Sequence, residues 1–564
     1  MDYKNIYRAW LEDPSIDEAS KEELRALEGN EEEIKDRFYT PLAFGTAGLR
    51  GKLGAGTNRM NMYTVGAACE GLARFIESQG QDAKDRGVSI AYDVRHFSKE
   101  FSILSAEILA AHGIHVYIHT ECQPTPLLSY TVRKTDSFAG IMVTASHNPK
   151  EYNGYKVYND EGSQILDDWA KAIESEIGLV ISYGDIKRLA YEEGKEQGLI
   201  EEIAQDLIED YIQDILELPI HDQSIDKNIK IVYSPLNGAG NKLVRRIFRE
   251  RGFDNIHIVK EQENPDPDFT TIGYPNPEDP KAFALSEKLG KEVGADLLFA
   301  TDPDSDRCAL EVRNSEGDFV FFDGNKVGAL IGYYIISERQ AKGTLPENGA
   351  VLKSIVTGDL LAAIAEDYGV ECFEVLTGFK NIAAPVNEWD ETGEFEYLYG
   401  FEESIGYNPS KFVRDKDAVS SAMMIAEMAA FYRAQGKSLL DVLDELYEEY
   451  GYYNNRLKST VLEGIDGKEK INRIMEEFRA NPLEKIADMT LDEVIDYERD
   501  DTGLPKSNVL RYFYDDGSWY AIRPSGTEPK IKVYMYSVGE DLEDSERKLT
   551  AFENATDDVF ASVQ

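Results

Sequence analysis

The alternation of apolar and polar positions repeats one supersecondary plan three times along the chain. In the first copy, an apolar run at 88–92 predicts a strand. A helical pattern from Ser98 through Ala111 follows, ended by Gly113, and then come apolar runs at 114–118 and 139–143. Ser98 stands where a helix N-cap is expected and Gly113 where a helix stops. The second copy predicts strands at 229–233, 256–259 and 295–300, with a helix around 243–248 that closes near Gly252. The third predicts strands at 350–356, 372–376 and 395–399, with a helix over 359–368 followed by Gly369. Strands alternating with helices favour layered α/β domains with largely parallel sheets. The spacing differs from copy to copy, so this is a domain-level repeat rather than a short solenoid period. In each copy the third strand runs into a peculiar loop, at 144–148, 301–307 and 400–406. The expectation is three similar domains that bring three loops to one cleft.

From Tyr452 onward the plan is not repeated. Apolar runs at 510–514 and 519–522 flank Asp515-Asp516-Gly517, and an Asp-Gly turn between such runs predicts a hairpin. A further strand is expected at 531–536 and a helix over 544–563. Between the last two strands lies Arg523-Pro524-Ser525-Gly526-Thr527-Glu528-Pro529. An arginine, two hydroxyls and an exposed glycine backbone make a plausible phosphate cradle.

Length and charge narrow the field. The 564 residues suggest three to four domains, and 42% apolar content is ample for cores. No apolar run approaches the ~18 residues of a membrane span, and the first residues lack a signal-peptide pattern. Cysteines at 69, 122, 308 and 372 are widely spaced, as expected of reduced thiols in a cytoplasmic protein. The net charge of −45, from 60 basic and 105 acidic residues, argues against nucleic acid and anionic membrane as partners. An anionic substrate would then need a local basic cluster. Arg50, Lys156, Arg307, Lys380, Arg414, Lys416, Arg523 and Lys530 all stand beside Gly-rich or turn-rich loops. Oligomeric state is not written in these features.

Two loops carry candidate chemistry. Asp302, Asp304 and Asp306 occupy alternate positions, which face one side of an extended segment and suit a hard, oxygen-seeking cation. A calcium-loop assignment fails, because Arg307 stands where that motif needs Gly and Arg313 where it needs Glu. Taken alone, the triplet also suits an acidic surface turn. In Thr144-Ala145-Ser146-His147-Asn148-Pro149, Ser146 offers a hydroxyl on a tight turn. As neighbours in an extended loop, Ser146 and His147 are expected to point apart, and no Gly-x-Ser-x-Gly elbow is present, so a hydrolase pair is not expected. The same residues also suit a turn that satisfies its own backbone. Together the two loops suggest a serine that carries a phosphoryl group beside a divalent metal. Gly436-Lys437-Ser438 resembles the end of a P-loop, but Phe431 occupies the position of its first Gly.

With the loop 44–51, Phe44-Gly45-Thr46-Ala47-Gly48-Leu49-Arg50-Gly51, and the loop 400–406, five motifs in order from about Pro41 to Tyr536 resemble the α-D-phosphohexomutase superfamily. That family comprises phosphoglucomutases and phosphomannomutases. The stretches 150–156 and 377–380 resemble its phosphoglucomutase branch, which also contains phosphopentomutases. The resemblance implies four domains around a central cleft: three similar α/β domains and a C-terminal α+β domain with a partly antiparallel sheet. The expected bounds are 1–210 with an N-terminal helical extension and the phosphoserine loop, 211–325 with the magnesium loop, 326–450 with the sugar-binding loop, and 451–564 with the phosphate-binding loop. It further implies Mg²⁺ held by Asp302, Asp304, Asp306 and the phosphorylated Ser146. Lys416, His147 and Lys156 are the implied candidates for general base, and Arg50 and Arg307 bind or stabilise phosphate. Thr377, Gly378, Lys380, Glu402, Glu403, Ser404 and Arg414 would contact the sugar phosphate, and Arg523, Ser525, Gly526 and Thr527 its non-reacting phosphate. The implied reaction interconverts glucose 1-phosphate and glucose 6-phosphate through glucose 1,6-bisphosphate, which also serves as activator. Phosphopentomutase, phosphomannomutase, bisphosphate synthase and a catalytically silent sugar-phosphate sensor are the alternatives.

Overall fold

A computed structural model describes residues 2–462, 464–525 and 530–563. Its sheets fall into four groups that follow the chain. The first sheet has six strands in the order Leu49–Lys52, Tyr152–Tyr158, Ala139–Val143, Val88–Tyr92, Val116–Ile118, Ile200–Glu202. The second has five, from Phe319–Phe322 through Cys308–Arg313, Leu297–Thr301 and Ile231–Ser234 to Ile256–Ile258. The third runs Glu371–Val375, Gly349–Ser354, Glu396–Glu402, Gly406–Asn408. These are three α/β domains, and the fourth carries a six-stranded sheet whose pairings are all antiparallel.

The repeat has one feature that apolar runs alone did not predict. In each α/β domain a parallel core, of four strands in the first domain and three in the second and third, is extended by a strand that turns back antiparallel: Tyr152–Tyr158, Cys308–Arg313 and Gly406–Asn408. The three peculiar loops are the tight connections into those returning strands. The sheets are therefore mixed. Each loop lies beyond the C-terminal end of a parallel strand, where open α/β sheets place ligands. The returning strands carry Asn, Gly, Lys, Glu or Arg among their apolar residues, which masked them as loops.

Other elements depart from the sequence pattern for local reasons. Helix Ser98–Ala111 forms, but Ser98 is not its cap. The N-cap position is Phe97, in the left-handed region at φ 65°, and the Ser98 hydroxyl instead donates to Asp93. The fourth domain contains strand Tyr452–Val461, helix Gly464–Ala480 and strand Met489–Asp496, none of them expected. Strand Tyr452–Val461 pairs along the whole of Lys530–Gly539 and is polar because it runs at the edge of the sheet.

One hydrophobic core runs from the second domain into the third. Helix Ala418–Ala434 is buried on nearly every face within it, together with residues of helices Gln205–Leu216, Asn241–Glu250 and Gly324–Lys342. The first domain has its own core, and three short N-terminal helices close over a small cluster of Trp10, Ile16, Leu24, Ile34, Phe38 and Ala55. The fourth domain meets the third through a charged joint whose two cations are buried and whose two carboxylates are part-exposed. Lys353 Nζ lies 2.7 Å from Asp359 and 2.6 Å from Glu374, and Arg511 pairs with the same two carboxylates. The Arg511 guanidinium sits 4.0 Å from the centre of the Trp519 ring, and the indole N–H of Trp519 donates to Asp359.

Candidate active site

Strand Ala139–Val143 delivers Ser146 to the centre of the molecule. Its backbone is in the left-handed region, at φ 51°, and its side chain is buried. The Ser146 amide donates to Thr144 Oγ1 at 2.8 Å. The Ser146 hydroxyl donates to Asp302 Oδ2 at 2.8 Å, joining loops 156 residues apart. Because Ser146 is not extended, the expectation that it and His147 point apart is corrected: His147 Nδ1 lies 3.2 Å from Ser146 Oγ. Burial and the nearby Arg307 and Arg50 hold the His147 ring well below its usual pKa, so it is neutral.

Asp302, Asp304 and Asp306 converge as their alternation suggested, with candidate ligand oxygens all within 4.8 Å of one another and every side chain buried. Burial and two carboxylate neighbours push Asp302 well above the usual carboxylate range. Burial and then Asp304 push Asp306 up as well. Asp304 goes the other way. Its burial is outweighed by the Lys156 charge and by hydrogen bonds from Asp302, Lys156 and Thr125. Asp304 Oδ1 and Asp306 Oδ1 are buried without a hydrogen-bond partner. Unpaired acceptors on a crowded set of hard oxygens fit a divalent cation such as Mg²⁺, whose charge would relieve the repulsion.

Cations ring this cluster. Lys156, on the returning strand Tyr152–Tyr158, lies 3.1 Å from Asp304 and 3.8 Å from Asp306. Lys416 Nζ lies 3.3 Å from Asp306 and 3.1 Å from Asp415. Burial opposes the Lys416 charge, but Asp306, Asp415 and Glu402 outweigh it and raise the pKa. Arg307 lies 3.7 Å from Asp306 and 3.5 Å from Glu278, and Arg50 donates to Asn148 from strand Leu49–Lys52.

The third and fourth domains supply the rest. Glu402 Oε1 accepts the Gly378 amide at 2.7 Å, tying the loop of Thr377, Gly378 and Lys380 to the loop of Glu402, Glu403 and Ser404. Glu403 accepts from Ser354 and Thr357, and desolvation, then Glu402, raises its pKa to about 7. Burial lowers the pKa of Lys380, with Asp167 of the first domain nearby. Arg414 departs from its expected place. Its guanidinium is taken up by Asn387, Asp390 and the Lys411 carbonyl, and its amide donates to Ser129, so it braces the third domain against the first. Arg523 closes strand Trp519–Pro524, and the Ser525 amide donates to the Lys530 carbonyl. Gly526 and Thr527 lie outside the described residues.

Two further residues belong to the site. Lys532 is paired in register with Arg523, and its ammonium is influenced by Glu403 across the domain boundary. The alternation of Lys530 and Lys532 along one strand was the available signal. Thr125 donates through Oγ1 to Asp304 at 2.9 Å and through its amide to the Asp304 carbonyl at 2.8 Å. Only the Thr125-Pro126 helix start hinted that its amide would be available.

Known proteins share this order of domains. Models of phosphoglucomutase/phosphomannomutase domains match in order: α/β/α domain I over residues 41–180, domain II over 209–316, domain III over 323–450, and the C-terminal domain over 465–547. A phosphoglucomutase of Staphylococcus aureus strain MRSA252 is 37% identical over 536 residues, 92% of this chain and 94% of that one. The same fold occurs in parafusin, a phosphoglucomutase of Paramecium solved in an open form, with a TM-score of 0.70 at 19% identity over 93% of this chain and 95% of that one. It also occurs in a phosphoglucomutase/phosphomannomutase family protein of Burkholderia thailandensis, with a TM-score of 0.69 at 19% identity over 93% and 99%. The chain belongs to the phosphoglucomutase/phosphomannomutase family and is a mutase.

Proposed function

We propose that the protein interconverts α-D-glucose 1-phosphate and glucose 6-phosphate, with Ser146 as the phosphoryl carrier and glucose 1,6-bisphosphate as intermediate and activator. The observation that carries this reading is the buried Ser146 hydroxyl donating to Asp302 inside a carboxylate triad with unpaired oxygens. The identity to Staphylococcus aureus phosphoglucomutase supports glucose as the sugar. No described helix is long and apolar enough to cross a membrane. We take the enzyme to act in the cytoplasm on small sugar phosphates.

Asp302, Asp304, Asp306 and a phosphoryl oxygen on Ser146 would hold Mg²⁺, which neutralises charge on the transferring group. Phosphoryl transfer is mostly positioning and charge stabilisation. The bond from phosphorus to Ser146 Oγ breaks as a bond to the free sugar hydroxyl oxygen forms. The proton of that hydroxyl needs an acceptor, and the neutral ring of His147 near Ser146 Oγ supports that role. Lys156, Lys416, Arg307 and Arg50 offset charge around the reacting phosphate, and Arg50, as an arginine, stays protonated throughout. Glu402, Glu403, Ser404, Thr377, Gly378 and Lys380 address the sugar, while Arg523, Ser525, Gly526, Thr527 and Lys532 grip the distal phosphate. The bisphosphate turns end for end, and the second phosphoryl group returns to Ser146 with the bond changes reversed.

The test is conversion of glucose 1-phosphate with Mg²⁺ and trace glucose 1,6-bisphosphate, by wild type and Ser146→Ala, with mannose and ribose phosphates alongside. Wild type should convert glucose 1-phosphate fastest, and Ser146→Ala should lose at least about 10³-fold. Faster turnover of ribose phosphate would make the enzyme a phosphopentomutase, and no turnover of any sugar would overturn the proposal.

A further inference from the structure

The carrier loop is held from behind by two buried residues that do not reach the carboxylate triad. Arg95 follows strand Val88–Tyr92, and its side chain is completely buried. Its guanidinium donates to four main-chain carbonyls of the carrier loop: Nη2 to those of Ser146 and Asn148, both at 2.5 Å, and Nη1 to those of Pro149 at 2.9 Å and Tyr152 at 3.1 Å. Asp93 stands beside it, with Oδ2 3.2 Å from Arg95 Nε. Asp93 Oδ2 also accepts from Thr144 Oγ1 at 2.7 Å, and Thr144 Oγ1 in turn accepts the Ser146 amide at 2.8 Å. Ser146 is thus fastened at both its carbonyl and its amide.

The fastening has a direction. Turning four carbonyls inward toward one guanidinium leaves the Ser146 side chain facing outward, toward Asp302. A serine in the left-handed region is unfavourable by itself and persists only when its surroundings over-determine it. Arg95 meets the need because its planar head offers five fixed donors, where a lysine offers three on a single nitrogen. The guanidinium also lies 5.1 Å from the ring centre of Phe269, which belongs to the second domain with the triad. The loop is therefore keyed to the body that carries Asp302.

We propose that Asp93 and Arg95, acting through Thr144, are positioning residues for phosphoryl transfer. They hold the carrier loop in the conformation in which Ser146 Oγ meets Asp302. They set the rate of transfer to and from Ser146, not the affinity for sugar phosphate. This rests on Ser146 being the carrier.

The experiment measures the rate of phosphoserine formation at Ser146, by mass spectrometry of full-length enzyme mixed with glucose 1,6-bisphosphate and Mg²⁺. Steady-state kcat and KM for glucose 1-phosphate are measured in parallel. Thr144→Val keeps the shape and removes the hydroxyl link, Thr144→Ser restores it, and Arg95→Lys keeps the charge and removes the fork. Thr144→Val and Arg95→Lys should slow both phosphoserine formation and kcat by about 10- to 100-fold, with KM within about twofold of wild type. Thr144→Ser should recover most of the rate. If Arg95→Lys fails to fold, the Thr144 pair carries the test alone. Wild-type rates of phosphoserine formation in Thr144→Val, or a loss that appears only in KM, would overturn the proposal. Absence of phosphoserine in wild type would instead overturn Ser146 as carrier.

Discussion

Each of the three recurring loops places one residue other than glycine in the left-handed region: Ser146 at φ 51°, Ser305 at 50° and Ile405 at 54°. Such conformations cost on the order of 1–3 kcal/mol and gather at functional sites. Here they mark the turn from a parallel strand into its returning neighbour. A residue outside the site carries a different load. Glu311, on strand Cys308–Arg313, is buried with one oxygen unpaired, and burial followed by the Glu287 charge raises its pKa to about 8. A raised folded-state pKa contributes stability in full below the unfolded value, near 4.5, and loses it as pH rises through about 8. Glu311→Gln removes that dependence. Its Tm relative to wild type should therefore climb between pH 5 and pH 9, by about 2–4 °C for each kcal/mol relieved, in a thermal melt series. A flat difference across that range would show that Glu311 does not titrate there. Legibility at this scale followed chemistry that repeats. The aspartates were readable because alternation implies a shared face. Thr125 was not readable, since one hydroxyl at a helix start leaves no pattern. Arg414 was misread because its motif neighbour Lys416 reaches Asp306 while its own guanidinium turns to Asp390.

At the scale of elements, the sequence predicts best where a continuous apolar run or a pair of end signals bounds the element. The central strands of the α/β sheets, buried on both faces, emerged from apolar runs, and helix Ser98–Ala111 from its pattern and Gly113. Helix Ala418–Ala434 did not, because it is apolar nearly all round and shows no stripe. Its one acidic residue, Glu427, is fully buried and accepts from the amides of Ile220 and His221, each at 2.8 Å, the Tyr334 hydroxyl at 2.9 Å and Arg251 at 2.8 Å. Removing the Glu427 carboxylate takes the acceptor from two amides and the Tyr334 hydroxyl and leaves the buried Arg251 with only Asp222 and the His221 carbonyl. Glu427→Ala should cost about 3–5 kcal/mol, seen as a lowered urea midpoint. Glu427→Gln, which keeps an acceptor, should cost less. Equal losses in the two variants would assign the effect to volume instead. The fourth domain was the least legible, since a long edge strand such as Tyr452–Val461 carries polar residues and reads as loop.

For the molecule as a whole, the site belongs to no single domain. Ser146 comes from the first α/β unit, the aspartates from the second, Glu402 and Lys416 from the third, and Arg523 and Lys532 from the fourth. The order of the motifs made that assembly foreseeable, but the contacts between the units were not, because long-range packing leaves no trace in local spacing. The joint of Lys353, Asp359, Glu374 and Arg511 is such a contact. Its consequence concerns processivity. On the proposed mechanism the intermediate stays bound through its reorientation, and each premature escape leaves Ser146 unphosphorylated until another bisphosphate recharges it. On that reading, a looser seam between the third and fourth domains lets more of the intermediate escape per turnover. Arg511→Met should leave the maximal rate nearly intact while raising, several-fold, the glucose 1,6-bisphosphate needed for half-maximal activity. An unchanged requirement in that titration would mean that the seam fastens the fourth domain without governing leakage.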